Sequence, residues 1–132
     1  MQLKRRFTIS GAEPFAALEF RFASSEIRNP DGTIVFQAEN VEVPAQFSQV
    51  ATDIMAQKYF RKAGIPARLK RVEESSVPSW LWRSIPDETA LARLPEDERF
   101  VGETSTKQVF NRLAGTWTCL LYTSPSPRDL ST

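Results

Sequence analysis

A chain of 132 residues with 41% apolar and 25% charged side chains has the makeup of one small globular domain, which excludes wholesale disorder. A formal net charge of +1 excludes a global field that draws nucleic acid or a membrane surface, so any basic function rests on local clustering. The absence of histidine and the single cysteine, Cys119, exclude an internal disulfide, a Cys/His metal site and a hydrolase built on a Ser-His or Cys-His pair.

The first ten residues, MQLKRRFTIS, are basic but lead into no unbroken apolar run of a secretory signal. No stretch reaches the roughly 20 apolar residues that span a bilayer. The expectation is a soluble, cytoplasmic chain with no membrane partner.

Residues Phe15 to Phe22 alternate, with Leu18, Phe20 and Phe22 on one side and Glu19 and Arg21 on the other. That period of two predicts a half-buried strand. Ile27 falls on the opposite parity, which a bulge around Ser24 and Ser25 explains. Asn29-Pro30-Asp31-Gly32 then suits a type I turn with Gly32 at positive φ. Thr33 to Val43 is again extended, with Ile34 and Phe36 on one face. Together these segments predict a β-hairpin, whose ordinary role is scaffolding; a ligand-gripping flap is the sharper alternative.

Pro44 closes the second strand. A dominant helix is expected from about Gln46 or Ser48 to Ala63, with Gly64 as its stop and Pro66 preventing continuation. Phe47, Val50, Ala51, Ile54 and Met55 form its apolar stripe. At the last turn the stripe gives way to Lys58, Arg61 and Lys62, and Arg68, Lys70 and Arg71 follow with no acidic residue between Lys58 and Arg71. Cations at a helix C-terminus complement its dipole and otherwise sit in water. The sharper reading is that they meet a phosphate, or carboxylates on another part of a larger protein.

The segment from Val77 to Pro86 packs Trp80 and Trp82 between prolines, which allow only a short helical turn or an extended run. Such aromatics either anchor the segment on the core or offer a docking surface. Asp87 is placed to cap a short helix through Leu94, and residues 95–102 read as a charged loop. Thr104 or Ser105 caps a last helix with Val109, Phe110 and Leu113 on its apolar face and Gly115 at its end. From Cys119 the run CLLYTSPSPRDLST has Ser-Pro repeats and no periodicity, so disorder is expected there. It also resembles translated adapter sequence found at the ends of genes assembled from sequencing reads. The expected division is therefore a domain over 1–118 and a foreign tail over 119–132. The fold class is α+β, a hairpin packed against several short helices.

Four ordered blocks, SEIRNPDGTIVF, NVEVPAQFSQVATDIMAQKYFRKAG, VPSWLWRSIPD and KQVFNRLAGTWT, resemble the N-terminal region of bacterial adenosylcobalamin-dependent, class II ribonucleotide reductases. The resemblance runs from about Arg5 to Thr118. It implies a parent enzyme that reduces the ribose 2′-hydroxyl of ribonucleotides by a thiyl-radical mechanism. It also implies adenosylcobalamin as cofactor, a thioredoxin-type reductant as partner, and an α/β barrel that follows this region. The radical cysteine, the redox cysteines, the cobalamin surface and the substrate loops of that family have no matching positions here, so no catalytic, cofactor or metal residue is carried over.

Three functions follow from these readings. The first is a catalytically silent N-terminal fragment of such a reductase. The second is a small nucleotide- or RNA-binding module using residues 58–71, with Tyr59 and Phe60 as stacking partners. The third is an interaction domain docking through Trp80 and Trp82, which is compatible with the first. A fragment is expected to show an uncovered apolar patch at the tryptophan turn or the last helix, whereas burial of Trp80, Trp82 and Trp117 together counts against truncation.

Overall fold

The structure is a computed structural model and describes residues 4–76 and 78–123. The NPDG turn sets its first element. The Gly32 amide donates to the Asn29 carbonyl at 2.9 Å, the Asn29 amide donates to that of Thr33 at 2.8 Å, and Gly32 takes φ of 89°. Proline presets the first corner, and glycine accepts the left-handed one without a Cβ penalty. Two antiparallel strands extend from the turn, β1 (Phe20–Arg28) and β2 (Ile34–Pro44).

β1 has 9 residues and β2 has 11, and the register accounts for the difference. Ala23 faces Val41 but Ser25 faces Ala38; Ile27 faces Phe36 but Arg28 faces Ile34. Both insertions therefore lie on β2, and Asn40 there adopts φ of 55°. The bulge expected at Ser24 exists, with its extra residue on the partner strand. β1 consequently keeps one parity, and Arg21, Ala23, Ser25 and Ile27 share a face.

That face is the covered one, which corrects the expected burial of Leu18 and Phe22. Residues 13–18 turn instead of extending, with the Leu18 amide donating to Phe15 at 3.0 Å. Phe15 packs edge-on against Phe20 with centroids 5.8 Å apart. Phe22 is 68% exposed. The physical reason is hydrogen bonding across the other face. Ser25 is buried and donates to Asp53 at 2.7 Å, while Arg21 donates to the Phe47 carbonyl at 2.6 Å.

The helix α1 (Gln49–Ile54) starts where expected. Ser48 accepts from the Ala51 amide at 3.1 Å, satisfying one of the orphan donors of the first turn. It then widens into a π turn over Met55–Tyr59 and stops there, short of Ala63. The backbone at Arg61 is already committed: its amide donates to the Glu103 carboxylate and its carbonyl accepts from the Glu103 amide, both at 2.8 Å. Gly64 does take φ of 80°, but beyond the helix. The buried face of α1 is also opposite to the expected one. Thr52 and Ala56 are buried and Gln49, Asp53 and Gln57 point toward β1, whereas Val50 is 68% and Ile54 49% exposed.

The chain divides into two compact units, one of residues up to Lys58 with those from Thr104 onward, the other Tyr59–Glu103. In the second, β3 (Ile65–Pro66) pairs with a strand at Phe100–Val101, and β4 (Leu69–Arg71) pairs with β5 (Ser84–Pro86), all antiparallel. Asp87 caps α2 (Glu88–Ala92) through a 3.1 Å bond from the Ala90 amide, as expected. The strand at Phe100–Val101, β6, lies inside the expected charged loop. Gly102 permits it: a Cβ there would sit 2.7 Å from the Lys62 carbonyl oxygen.

In the first unit, α3 (Thr106–Thr123) begins at a capping box. The Gln108 side chain accepts from the Ser105 amide at 3.0 Å and Ser105 Oγ accepts from the Lys107 amide at 3.1 Å. Gly115 does not end this helix; a lone interior glycine costs only about 1 kcal/mol. The helix continues to Thr123, and residues 124–132 of the expected tail lie outside the described residues. The α+β class holds, with three two-stranded sheets and short helices among the described residues.

Candidate functional site

The candidate residues lie on two stretches, the run from Lys58 to Arg71 and the tryptophan turn. Within the second unit, β4 and β5 bring Arg71 and Trp82 together. Arg71 donates through Nη2 to the Ser79 carbonyl and, at 3.4 Å, to that of Trp82, and its guanidinium lies 5.9 Å from the Trp82 ring centroid. Trp82 Nε1 donates to the Glu74 carbonyl at 3.0 Å, and Arg83 pairs with the Glu74 carboxylate at 2.9 Å. The Val72 amide closes the loop onto the Arg83 carbonyl at 2.9 Å. Half-buried Trp82 is thus held from both sides, by a cation and by a backbone acceptor. A short helical turn at Ser79–Leu81 and the strand β5 share the proline-bounded segment, so both conformations open to it are present. Val77 and the side chain of Trp80 lie outside the described residues.

Arg61, Lys62, Arg68 and Lys70 are exposed on the second unit, and Lys58 is exposed on the first. Burial of its surroundings lowers the Lys62 ammonium below the usual lysine value, since desolvation disfavours the charged form. Arg68 donates to its neighbour, the Ala67 carbonyl, at 2.9 Å. Phe60 is buried, so it presents no ring to an external base, while Tyr59 is exposed.

Sequence reasoning missed two polar clusters in the first unit. Ser25 Oγ donates to Asp53 and accepts from Gln57 at 3.1 Å, and Gln49 donates to both Asp53 and the Ser24 carbonyl at 2.8 Å. The signal was available: Gln49, Asp53 and Gln57 recur every four residues along one helix face. In the other cluster, the Glu42 carboxylate accepts from Ser105 Oγ at 2.7 Å and pairs with Lys107 at 3.6 Å, whose ammonium also lies 4.3 Å from the Phe20 ring centroid. Both clusters join elements of the same unit.

Among the described residues no group of three or more His, Cys, Asp or Glu side chains is placed to hold a metal ion. No buried side-chain nitrogen or oxygen lacks a hydrogen-bond partner there, so no polar atom is left aimed at a ligand. A shallow open depression beside the bulge is lined by Arg21, Phe22, Ala23, Ser24, Glu39, Asn40 and Gln49. Its Arg21 and Gln49 side chains are already engaged by Phe47, Ser24 and Asp53. These residues do not fit a corrin or a nucleotide.

The last helix carries its apolar residues unevenly. Val109 is buried and Phe110 and Leu113 are half-buried, but Trp117 is 64% exposed and Leu120 and Leu121 are exposed beyond it. The covered part of the stripe ends midway along the helix.

Residues 21–125 match the family model described as class II vitamin B12-dependent ribonucleotide reductase. The vitamin B12-dependent ribonucleotide reductase of Bradyrhizobium diazoefficiens is 64% identical over 118 residues, which is 89% of this chain and 9% of that protein. The protein of the same name from Agrobacterium fabrum is 62% identical over 117 residues, with the same two shares. That from Rhodopirellula baltica is 38% identical over 50 residues, 38% of this chain and 5% of the protein. The chain thus spans about a tenth of the first two relatives' length.

Proposed function

Because the chain belongs to the family of class II vitamin B12-dependent ribonucleotide reductases, we propose that it is the N-terminal segment of such an enzyme and is catalytically silent alone. The observation that carries this reading is the match to Bradyrhizobium diazoefficiens, which takes in 89% of this chain yet 9% of that protein. The parent enzyme reduces ribonucleotides to deoxyribonucleotides at the ribose 2′-hydroxyl through a thiyl radical, with adenosylcobalamin as cofactor and a thioredoxin-type reductant. None of those steps is assigned to residues of this segment. Exposed Trp117 supports the reading, because it continues the helix stripe on which Val109 is buried and Leu113 half-buried.

The same reading takes the segment as a scaffold for the barrel that follows it. Its outward cations, Lys58, Arg61, Lys62, Arg68 and Lys70, are then contacts for carboxylates or phosphates of the larger protein. Arg71, bonded to Ser79 and Trp82, shapes the tryptophan turn that presents the docking surface. The boundary of the natural segment is placed at Thr118. That boundary rests on the Ser-Pro-rich composition beyond it, and the family match extends past it to residue 125.

The test is a chimaera in which residues 1–118 replace the matched segment of the Bradyrhizobium protein. Cobalamin-dependent ribonucleotide reduction by the chimaera is expected, with neither cobalamin binding nor turnover by the 132-residue chain itself. Turnover by the isolated chain, or a folded but inert chimaera, overturns the proposal. In the same chimaera Arg61→Ala with Lys62→Ala is expected to weaken nucleotide binding or thermal stability. Unchanged values for both would remove the cations from the contact set.

A further inference from the structure

The apolar stripe of α1 faces away from the unit that holds the helix. Val50 and Ile54, one helical turn apart, are 68% and 49% exposed, and Phe47, Ala51 and Met55 beside them are half-buried. No charged residue interrupts these five positions. A single turned-out valine is unremarkable on a protein surface, but two apolar residues one turn apart facing out, while Asp53 and Gln57 of the same helix bond inward to Ser25, are not.

The inward orientation is fixed by chemistry rather than by chance. Gln49, Asp53 and Gln57 bond to Ser24 and Ser25 of β1, and no buried side-chain polar atom among the described residues is left without a partner. Turning α1 about its axis to hide Val50 and Ile54 would leave the buried Ser25 hydroxyl without Asp53 and Gln57, at roughly 1–3 kcal/mol. One face of α1 is therefore committed to β1, and Val50 and Ile54 are left on the other.

We propose that the outward stripe of α1, centred on Val50 and Ile54, is the surface on which the downstream polypeptide of the full-length enzyme packs. The inference rests on the reading of this chain as the N-terminal segment of a reductase. It commits to that occupant because about nine-tenths of each full-length relative lies outside the matched segment. The uncharged stripe fits the dry contact of a permanent intrachain interface, whereas transient partners usually meet a more polar surface.

Hydroxyl-radical footprinting read by mass spectrometry tests the surface on two proteins, the 132-residue chain and the Bradyrhizobium chimaera carrying residues 1–118. Side-chain oxidation at Val50 and Ile54 is expected to fall by roughly fivefold or more in the chimaera, as half-exposed side chains become buried. Equal oxidation in both proteins, with the chimaera active, overturns the docking surface and leaves the parent reading intact. A folded chimaera without cobalamin-dependent turnover overturns the parent reading and with it the occupant. Sedimentation of the 132-residue chain separates the remaining case. A monomer is expected, and a dimer that Ile54→Ser dissociates would assign the stripe to a second copy and overturn the proposal.

Discussion

In the unit built on the hairpin, α1 meets β1 through Ser25, Asp53, Gln49 and Gln57, and α3 meets β2 through Ser105, Thr106 and Lys107 on Glu42. Between Tyr59 and Glu103 the backbone itself makes much of the structure, in strand pairs of two or three residues and in the exchange between Arg61 and Glu103. The first unit adds side-chain polarity to a small core of Val41, Val43, Ala56 and Val109, and leaves Val50 and Ile54 of α1 in view. The second uses close backbone approach, with Phe60 and Leu91 as the buried large apolar residues among those described. Polar groups bonded across an interface specify geometry while adding modest net stability, so a region held this way leaves its apolar surface for other contacts.

The backbone-built unit has the sharper breaking point. Gly102→Ala puts a Cβ 2.7 Å from the Lys62 carbonyl oxygen and 3.1 Å from that of Arg61, atoms that cannot swing aside as a side chain can. The expected cost is about 2 kcal/mol, in the range of overpacking. It should appear in hydrogen exchange as lost protection of the Ala67 and Glu103 amides, which donate to Arg99 and Arg61. Full protection in the variant would show that close backbone approach is not what holds this unit.

The polar junction gives a smaller effect and a built-in control. Asp53→Ala removes the acceptor shared by Ser25 and Gln49, and is expected to cost about 1–2 kcal/mol. Asp53→Asn keeps an oxygen for the Ser25 hydroxyl and should recover most of that loss in urea unfolding. Equal losses in the two variants would mean that the charge, rather than the hydrogen bonds, orients α1.

What the sequence made legible follows the same divide. The NPDG turn, the Asp87 cap, the Thr104 or Ser105 cap, a helix start at Gln46 or Ser48 and the presence of a bulge were all readable, because each depends on residues within a few positions of one another. Period-two and period-3.6 patterns marked Phe20 and Phe22 as strand residues and Val50 and Ile54 as one helix stripe, although residues 13–18 turn. They could not say which face this segment covers, because Phe22, Val50 and Ile54 mark surfaces for burial without naming the partner. The strand pairs β3–β6 and β4–β5 were invisible for another reason. Two or three residues carry no periodicity, and their pairing is set by Gly102 and by the clasp of Arg71 on Trp82. The basic run was legible as composition only. Arg71 turned out to be bonded to Ser79 and Trp82.

The smallest expected effect tests whether local polar bonding also governs the hairpin tip. The Asp31 carboxyl is held below its usual value of 3.8 by hydrogen bonds from the Thr33 side chain and then from the Thr33 amide, the latter at 2.9 Å. A carboxylate whose folded pKa is lowered adds stability that is fully present above the unfolded value, and that stability is lost as pH falls through the folded one. The tip should therefore stay ordered at pH 5 and loosen only below 3.8. Full exposure of the carboxyl confines the response to the turn. Amide NMR of Gly32 and Thr33 should show a titration below 3.8 that Asp31→Asn abolishes. A midpoint at or above that value would mean that the Thr33 bonds do not favour the ionised carboxylate. Proline and glycine would then hold the tip by backbone preference, as close backbone approach holds the second unit.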